Sequence, residues 1–467
     1  MNYHDILDKV KKIHFVGIGG SGMCPMAEIL KAKGFLLTGS DVYESDTLQR
    51  IREMGIPVEL GHKEENIKDA ELVVYSAAIK QDNPELVFAR EKNIPIIERS
   101  VMLGIVTRRY QSSVAVSGTH GKTSTTAMLT QILINGKMDP TAIIGGKLPT
   151  IGGNSRIGNS QLMICEACEY VDTFLELTPS VSVILNIDAD HLDYFKTLEN
   201  IKKSFHKFAG QTTKALVVNG DDKNTMDAIK GIALETVTFG FHNKNNYYAE
   251  NISTQHGFES QFTLMKEGKK LTEINLRVPG KHNIANALAA AAAAHYLGAN
   301  PEAIASGLSE FCGVHRRFEI LGRPGGVVVA DDFAHHPTEL KAVLSSATAM
   351  GFHRVFAVFQ PHTYSRTAML LNDFADALSI ADQVVISEIL AVRETNTYNI
   401  SSQDLGDKIE GAVCLDTFSE ITDYIEENVS PGDLVLTIGG GNVYKCANMI
   451  LQRLQKKAAK TIAIVQS

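Results

Sequence analysis

No apolar stretch in this 467-residue chain approaches the ~20 residues that a membrane-spanning helix needs. The opening Met-Asn-Tyr-His-Asp does not read as a signal peptide, because it mixes charge with apolar residues and lacks a continuous apolar core. Cysteine is scarce: six in the whole chain make no disulfide framework, which points to a reducing cytoplasm. Cys165-Glu-Ala-Cys168 has the C-x-x-C spacing, yet no second Cys or His pair lies close by in sequence to complete a zinc site. It follows an apolar run, so both thiols are expected to pack on an alternating strand. Basic charge is also short, 45 Lys and Arg against 53 Asp and Glu, and the formal charge of −8 argues against a nucleic acid as partner. Nor is there a G-x-S-x-G nucleophile elbow or an internal repeat at solenoid spacing. The composition, 44% apolar and 21% charged, is that of a globular chain long enough for about three domains.

Two glycine-rich strand–loop–helix runs carry the chemistry. In the first, a strand from Lys12 enters Gly17-Ile-Gly19-Gly20-Ser21-Gly22, Met23 to Lys33 has helical spacing, and Leu36 to Asp41 supplies a second strand ending in an acid. That is the dinucleotide-fold fingerprint, and it fits NAD or any other diphosphate-bearing ligand. In the second, Val114 to Val116 runs into Gly118-Thr-His-Gly121-Lys122-Thr123, and Ser124 to Leu133 reads as a helix. Glycines let backbone N–H groups close around an anion, and the helix N-terminus adds partial positive charge. Val116 stands where the longer P-loop pattern wants a glycine, so this is the shorter G-x-x-G-K-T form. Lys122 is expected at the β/γ-phosphates of ATP, with the Thr123 hydroxyl on a divalent cation.

Further along, Gln161 to Cys165 is a strand ending in Glu166, and Val181 to Ile187 is a strand followed by Asp188-Ala-Asp190-His191. Parallel strands of this kind deliver their terminal acids and histidines to the nucleotide crevice. Thr123, Glu166 and His191 together offer two oxygens and an imidazole, a set tolerable for Mg²⁺ and better for Mn²⁺. Tyr247 to Val278 suggests an antiparallel excursion. Asn283 and Asn286 share one face of a helix that continues into six alanines, 289 to 294. After a glycine/proline hinge at Gly322–Gly326, strands at Gly326–Ala330, Val355–Phe359, Gln383–Ile386 and Leu434–Ile438 alternate with helical stretches, which indicates another open α/β sheet. An ATP user of this kind either couples ATP to motion or activates a carboxylate by phosphorylation. The latter needs charge neutralisation by metal, Lys and Arg and no protein nucleophile.

Six motifs occur in order: Gly17-Ile-Gly-Gly-Ser-Gly-Met23, Gly118-Thr-His-Gly-Lys-Thr-Ser-Thr-Thr126, Asn186-Ile-Asp-Ala-Asp-His191, His282-Asn-Ile-Ala-Asn286, Asp331-Asp-Phe-Ala-His-His-Pro-Thr338 and Phe359-Gln-Pro-His-Thr-Tyr-Ser-Arg366. From about residue 10 to 450 the chain resembles the Mur ligases of peptidoglycan synthesis, in the branch that attaches L-alanine to the lactyl carboxylate of UDP-N-acetylmuramate. The resemblance implies an α/β fold of three domains: a Rossmann-like UDP-sugar domain over 1–107, a P-loop ATPase-like domain over 108–321 and a Rossmann-like C-terminal domain over 322–467 that swings onto the second. It implies that Gly17, Gly19, Gly20, Ser21, Gly22, Asp41 and Ser76 serve the UDP-sugar and not NAD. Gly118, Thr119, His120, Gly121, Lys122, Thr123 and Ser124 would hold the ATP phosphates, Asn283 and Asn286 the adenine, Asp332 the ribose and Arg317, beside Arg316, the γ-phosphate. Thr123, Glu166 and His191 match the metal positions, and His335 and Arg366 lie where the incoming amino acid binds. Phe333 stands where relatives often carry Tyr, and Thr363 where some carry Arg. None of the lysines in Ile201–Lys207 is assigned to the carbamylated-lysine role of other Mur ligases. The rivals are a ligase that recycles a murein tripeptide onto the same sugar nucleotide and a non-catalytic NAD/ATP sensor. Oligomeric state is not legible.

Overall fold

The computed structural model describes residues 5–67, 69–255, 259–392 and 394–466. They form two compact units, Met1–Tyr248 with Leu288–Gly307, and Ala249–Ala287 with Leu308–Ser467.

The first unit opens with a parallel sheet ordered β3-β2-β1-β4-β5, made of β1 (Lys12–Val16), β2 (Leu36–Asp41), β3 (Val58–Leu60), β4 (Leu72–Tyr75) and β5 (Ile96–Glu98). The order reverses between β1 and β4, and the loop that leaves β1 at Gly17 lies at this switch point, where open α/β sheets bind ligands. Its second sheet is built around β6 (Ser112–Ser117). On one side lie β9 (Leu162–Glu166), β7 (Thr141–Leu148) and the antiparallel β8 (Gly153–Arg156). On the other side β10 (Val181–Ile184), β11 (Ala215–Asn219), β12 (Glu235–Gly240) and the first residues of β13 (Tyr247–Gln255) continue in parallel. β6 is buried from Ser113 onward and β10 throughout. A strand covered on both faces has no solvent side, so even the serines of these strands, Ser113, Ser117 and Ser182, are buried. The strand expected over Val181–Ile187 ends early, at Ile184. Asn186 turns its carbonyl to the Thr119 N–H at 3.0 Å instead, so the strand's end is given to the glycine loop. All six alanines at 289–294 are buried, as a closely packed helix requires.

The second unit holds the antiparallel pair β14 (Glu259–Lys266) and β15 (Lys269–Leu276), with Phe262, Leu264, Ile274 and Leu276 buried. Its C-terminal sheet is ordered β16-β17-β21-β18-β19-β20, from β16 (Glu319–Gly322), β17 (Val328–Asp332), β18 (Val355–Phe359), β19 (Gln383–Ile386), β20 (Val413–Cys414) and β21 (Leu434–Ile438). Alternate residues feed two separate cores: Val328, Ala330, Val355, Ala357 and Phe359 on one face, Val329, Phe356, Val358 and Val435 on the other. Period two with both faces apolar is the signature of a sheet covered by helices on both sides.

The hinge expected at Gly322–Gly326 is corrected. β16 pairs antiparallel with β17, Glu319 opposite Asp331 and Gly322 opposite Val329, so the glycines and proline form the turn of a hairpin inside the second unit. A tight turn and a linker demand the same residues. The C-x-x-C expectation is corrected in part. Cys165 is buried in β9, but the strand ends at Glu166 and Cys168 lies past it, exposed. Burial pushes the Cys165 thiol up to about 12, leaving it protonated and inert.

Candidate active site

The glycine loop after β6 is set by its two end glycines. Gly118 and Gly121 have φ of 135° and 88°, a region that side chains with a Cβ rarely enter, and Gly121 starts the helix Lys122–Asn135. Between them the backbone is stapled by Asn186. Its side chain accepts the His120 N–H at 2.8 Å and donates to the His120 carbonyl at 3.0 Å. The Thr119 hydroxyl accepts the Asp188 N–H at 2.9 Å, and the His120 Nε2 lies 3.3 Å from the Asp188 carboxylate. Lys122 folds back over the loop: its Nζ donates to the Gly118 carbonyl at 2.6 Å, the Thr119 carbonyl at 3.1 Å and the buried Glu169 carboxylate at 2.9 Å. Burial pulls the ammonium down, but the Glu169 charge outweighs it and holds Lys122 above the ordinary lysine value, fully charged.

Glu166 is the last residue of β9, and Thr123 and His191 come after the C-terminal ends of its sheet companions β6 and β10, which run in the order β10-β6-β9. One Glu166 oxygen accepts the Gly145 N–H. The His191 ring packs on Tyr170 at a centroid distance of 4.6 Å. A hydroxyl, a carboxylate with one oxygen held by a backbone donor and an imidazole form a donor set that fits a divalent cation, with water filling the remaining positions.

At the other glycine loop, the N–H groups of Gly17 and Ile18 go to the Ser40 carbonyl at 2.9 and 3.1 Å. Asp41 accepts the Gly19 N–H at 2.8 Å with one oxygen and the Val42 N–H at 2.7 Å with the other. Asp41 therefore holds the loop in shape. Ser76, at the end of β4, lies against Gly17 on the same mouth. Gly20 donates to Gly17, Gly22 starts the helix Met23–Ala32, and the Ser21 carbonyl accepts the Asn154 amide at 2.9 Å.

The second unit gathers the remaining candidates. The two neighbouring arginines have opposite surroundings. Arg316 is locked: its donors reach Asp331 (2.8 Å), the Gly439 carbonyl (2.7 Å) and the Gly441 carbonyl (2.9 Å), between the rings of Phe333 and Tyr444. Arg317 lies over the Phe333 ring at 5.3 Å, and among the described residues its guanidinium has no hydrogen bond or ion pair. Asp332 accepts the N–H groups of Phe318 and Ala334, each at 2.7 Å. Burial nevertheless pushes its carboxyl up to about 6, against the pull of Arg317 and those N–H groups. Asn283 and Asn286 are buried, joined amide to amide at 3.2 Å. The His335 Nδ1 lies 3.0 Å from the Phe333 carbonyl and 3.6 Å from the Glu339 carboxylate. His362 lies between His335, at a ring distance of 5.7 Å, and the Arg366 guanidinium, 3.3 Å from its Nδ1. Thr363 caps the short helix carrying Arg366, at a φ of 70°.

The sequence did not single out Asn186, Asp188, Glu169 or His362 for roles of their own. The first two lie inside a motif already quoted, Glu169 follows Glu166 by three residues, and His362 sits in the run ending at Arg366.

Comparison with known proteins gives a consistent result along the chain. Residues 12–111 match the model described as Mur ligase family, catalytic domain; 116–294 match the Mur ligase middle domain; and 316–441 match the Mur ligase, glutamate ligase domain. A UDP-N-acetylmuramate–L-alanine ligase from Acetivibrio thermocellus is 46% identical over 98% of this chain and 100% of its own length. One from Caldanaerobacter subterraneus is 44% identical over 96% and 99%. Among solved structures, the UDP-N-acetylmuramate-alanine ligase MurC from Thermotoga maritima superposes with a TM-score of 0.81 at 32% identity, covering 96% of this chain and 99% of that one. A murein peptide ligase from Psychrobacter arcticus shares the fold, with a TM-score of 0.72 at 24% identity over 95% and 99%.

Proposed function

Because the chain belongs to the Mur ligase family, we propose that it is the ligase joining L-alanine to the lactyl carboxylate of UDP-N-acetylmuramate at the expense of ATP. The observation that carries this reading is the 46% identity to an alanine-adding ligase across nearly the whole of both chains. The tripeptide-recycling alternative has looser likenesses behind it, to murein peptide ligases at 24% and 26% identity. Three functional domains belong to the reading. The first boundary is drawn near 107; the second is better drawn ahead of Arg316 than at 321, since β16 pairs with β17 and the third family match starts at 316.

A carboxylate and an ammonium do not condense in water. A carboxylate oxygen attacks the γ-phosphorus, ADP leaves, and the alanine amine attacks the acyl phosphate carbon, loses a proton and expels inorganic phosphate. Gly118, Thr119, His120, Gly121 and Ser124 wrap the ATP phosphates, and Lys122 moves its charge from Glu169 to them. Arg317, which makes no hydrogen bond or ion pair among the described residues, neutralises the γ-phosphate. When bound at Thr123, Glu166 and His191, Mg²⁺ or Mn²⁺ supplies further charge neutralisation. His335 and Arg366 serve the incoming alanine, Arg366 at its carboxylate. Asn283 and Asn286 serve the adenine and Asp332 the ribose. No helix among the described residues is long and apolar enough to cross a membrane, and ATP and a sugar nucleotide as substrates suit the cytoplasm.

The test is ADP release with UDP-N-acetylmuramate, scanned across amino acids, with calorimetric titration of UDP-sugar and NAD. Release that depends on L-alanine, with no NAD binding, is expected. NAD binding without UDP-sugar binding overturns the reading.

A further inference from the structure

The UDP-sugar loop is poorer in anion-binding groups than its glycines suggest. The N–H groups of Gly17, Ile18, Gly19, Gly20, Met23 and Cys24 are already bonded, to Ser40, to Asp41 or within the loop. Among the described residues, those of Ser21 and Gly22, with the helix N-terminus behind them, are left to face a ligand. A diphosphate carries two negative charges, and two backbone donors do not balance them.

The compensating cation is Arg99. It follows β5 directly and begins the helix Arg99–Thr107. Its guanidinium lies flat on Gly22: a methyl group built there would sit 3.0 Å from Nη1 and 3.1 Å from Cδ and Cζ. Any residue other than glycine at 22 would displace the arginine. Arg99 is half-buried, yet among the described residues its side chain has no hydrogen bond or ion pair. The adjacent acid, Glu98, takes the Ser100 hydroxyl at 2.9 Å instead. A half-buried guanidinium with five unused donors carries a desolvation cost that a bound anion relieves, and its planar fork matches phosphate oxygens two at a time.

The geometry points to Arg99 as the group that clamps the diphosphate of the sugar nucleotide, together with the Ser21 and Gly22 N–H groups. This rests on the UDP-sugar reading of the loop. The diphosphate is chosen over the lactyl carboxylate because Arg99 lies at the glycine that starts the helix, whereas the carboxylate must reach the γ-phosphate of ATP.

Calorimetric titration of the full-length protein tests it, using UDP-N-acetylmuramate, UDP-N-acetylglucosamine, which lacks the lactyl group, and uridine, which lacks the phosphates. Arg99→Ala is expected to weaken both UDP-sugars by on the order of 10- to 100-fold and to leave uridine and ATP unaffected. KM for UDP-N-acetylmuramate rises in step, while kcat at saturation falls much less. Arg99→Lys restores part of the affinity, as a point charge without the fork does. Unchanged ATP affinity and melting temperature report a folded variant, and if Arg99→Ala does not fold, the Arg99→Lys titration decides alone. Equal affinities in wild type and variants overturn the assignment, and so does a loss confined to UDP-N-acetylmuramate, which would move Arg99 to the lactyl carboxylate. Failure of the wild-type protein to bind either UDP-sugar overturns the UDP-sugar reading itself, and this assignment with it.

Discussion

Lys122 is the residue on which turnover should depend most. Its charge is secured by Glu169 before any nucleotide arrives, so it needs only to move, not to ionise. Lys122→Ala should cut ligation by at least about a thousandfold while leaving the melting temperature within a few degrees, because a phosphate clamp acts chiefly on charge that shifts in the transition state. ADP release and thermal melting measured together check this; near-normal turnover would remove Lys122 from the mechanism. Asp332 makes a prediction about pH. Its carboxyl is raised to about 6 in the fold from an ordinary value of 3.8, so the folded state holds a proton that the unfolded chain has lost. Its contribution to stability is therefore full below about pH 4 and is lost as pH rises through 6, a swing of at most about 3 kcal/mol. His282 opposes it, since burial first, and Arg317 second, lower its imidazole to about 4, so its contribution is lost as pH falls below 6.5. Comparison of Asp332→Asn with wild type isolates the first effect. The variant should lose relative stability as pH falls from 7 to 4, and parallel curves would refute it.

Elements made of local patterns were legible, and those made by distant contacts were not. Both glycine loops, the strands feeding them and the two-faced C-terminal sheet follow from glycines at fixed offsets and from apolar runs buried on both sides. Asn186 was legible only as part of a motif, because it acts on a loop 66 residues away. Arg316 and Arg317 are adjacent and chemically identical in sequence; only the Asp331, Gly439 and Gly441 contacts show that the first is structural. The Gly322–Gly326 turn was misread because composition marks a break in regular structure without saying whether the chain returns. Asn186→Ala should remove the side-chain bonds to the His120 N–H and carbonyl and loosen the phosphate loop. A loss of about 1–3 kcal/mol in stability and a KM for ATP raised roughly tenfold are expected. An unaltered KM in a folded variant would show that the staple does not position the loop.

At the scale of the molecule, the glycine-loop and metal candidates belong to the first unit, whereas the amino-acid candidates, together with Arg317, Asp332, Asn283 and Asn286, belong to the second. Their failures should therefore separate. Arg366→Ala should raise the KM for L-alanine by roughly ten- to a hundredfold with little change for ATP, whereas His191→Ala should raise the metal concentration needed for half-maximal rate. Paired titrations of L-alanine and Mg²⁺ on both variants test this division, and it fails if each variant shifts the other's titration instead.

The Asn186 staple also determines which amides of the phosphate loop report on nucleotide. The Thr119 N–H is bonded to the Asn186 carbonyl and the His120 N–H to its side chain, so their deuterium uptake should be slow with or without ATP. The first-turn amides of the Lys122–Asn135 helix lack intrahelical partners and should exchange fast until phosphate oxygens cover them. The isotope footprint of ATP on this loop should therefore skip Thr119 and His120 and fall on the first-turn amides from Lys122 to Ser124.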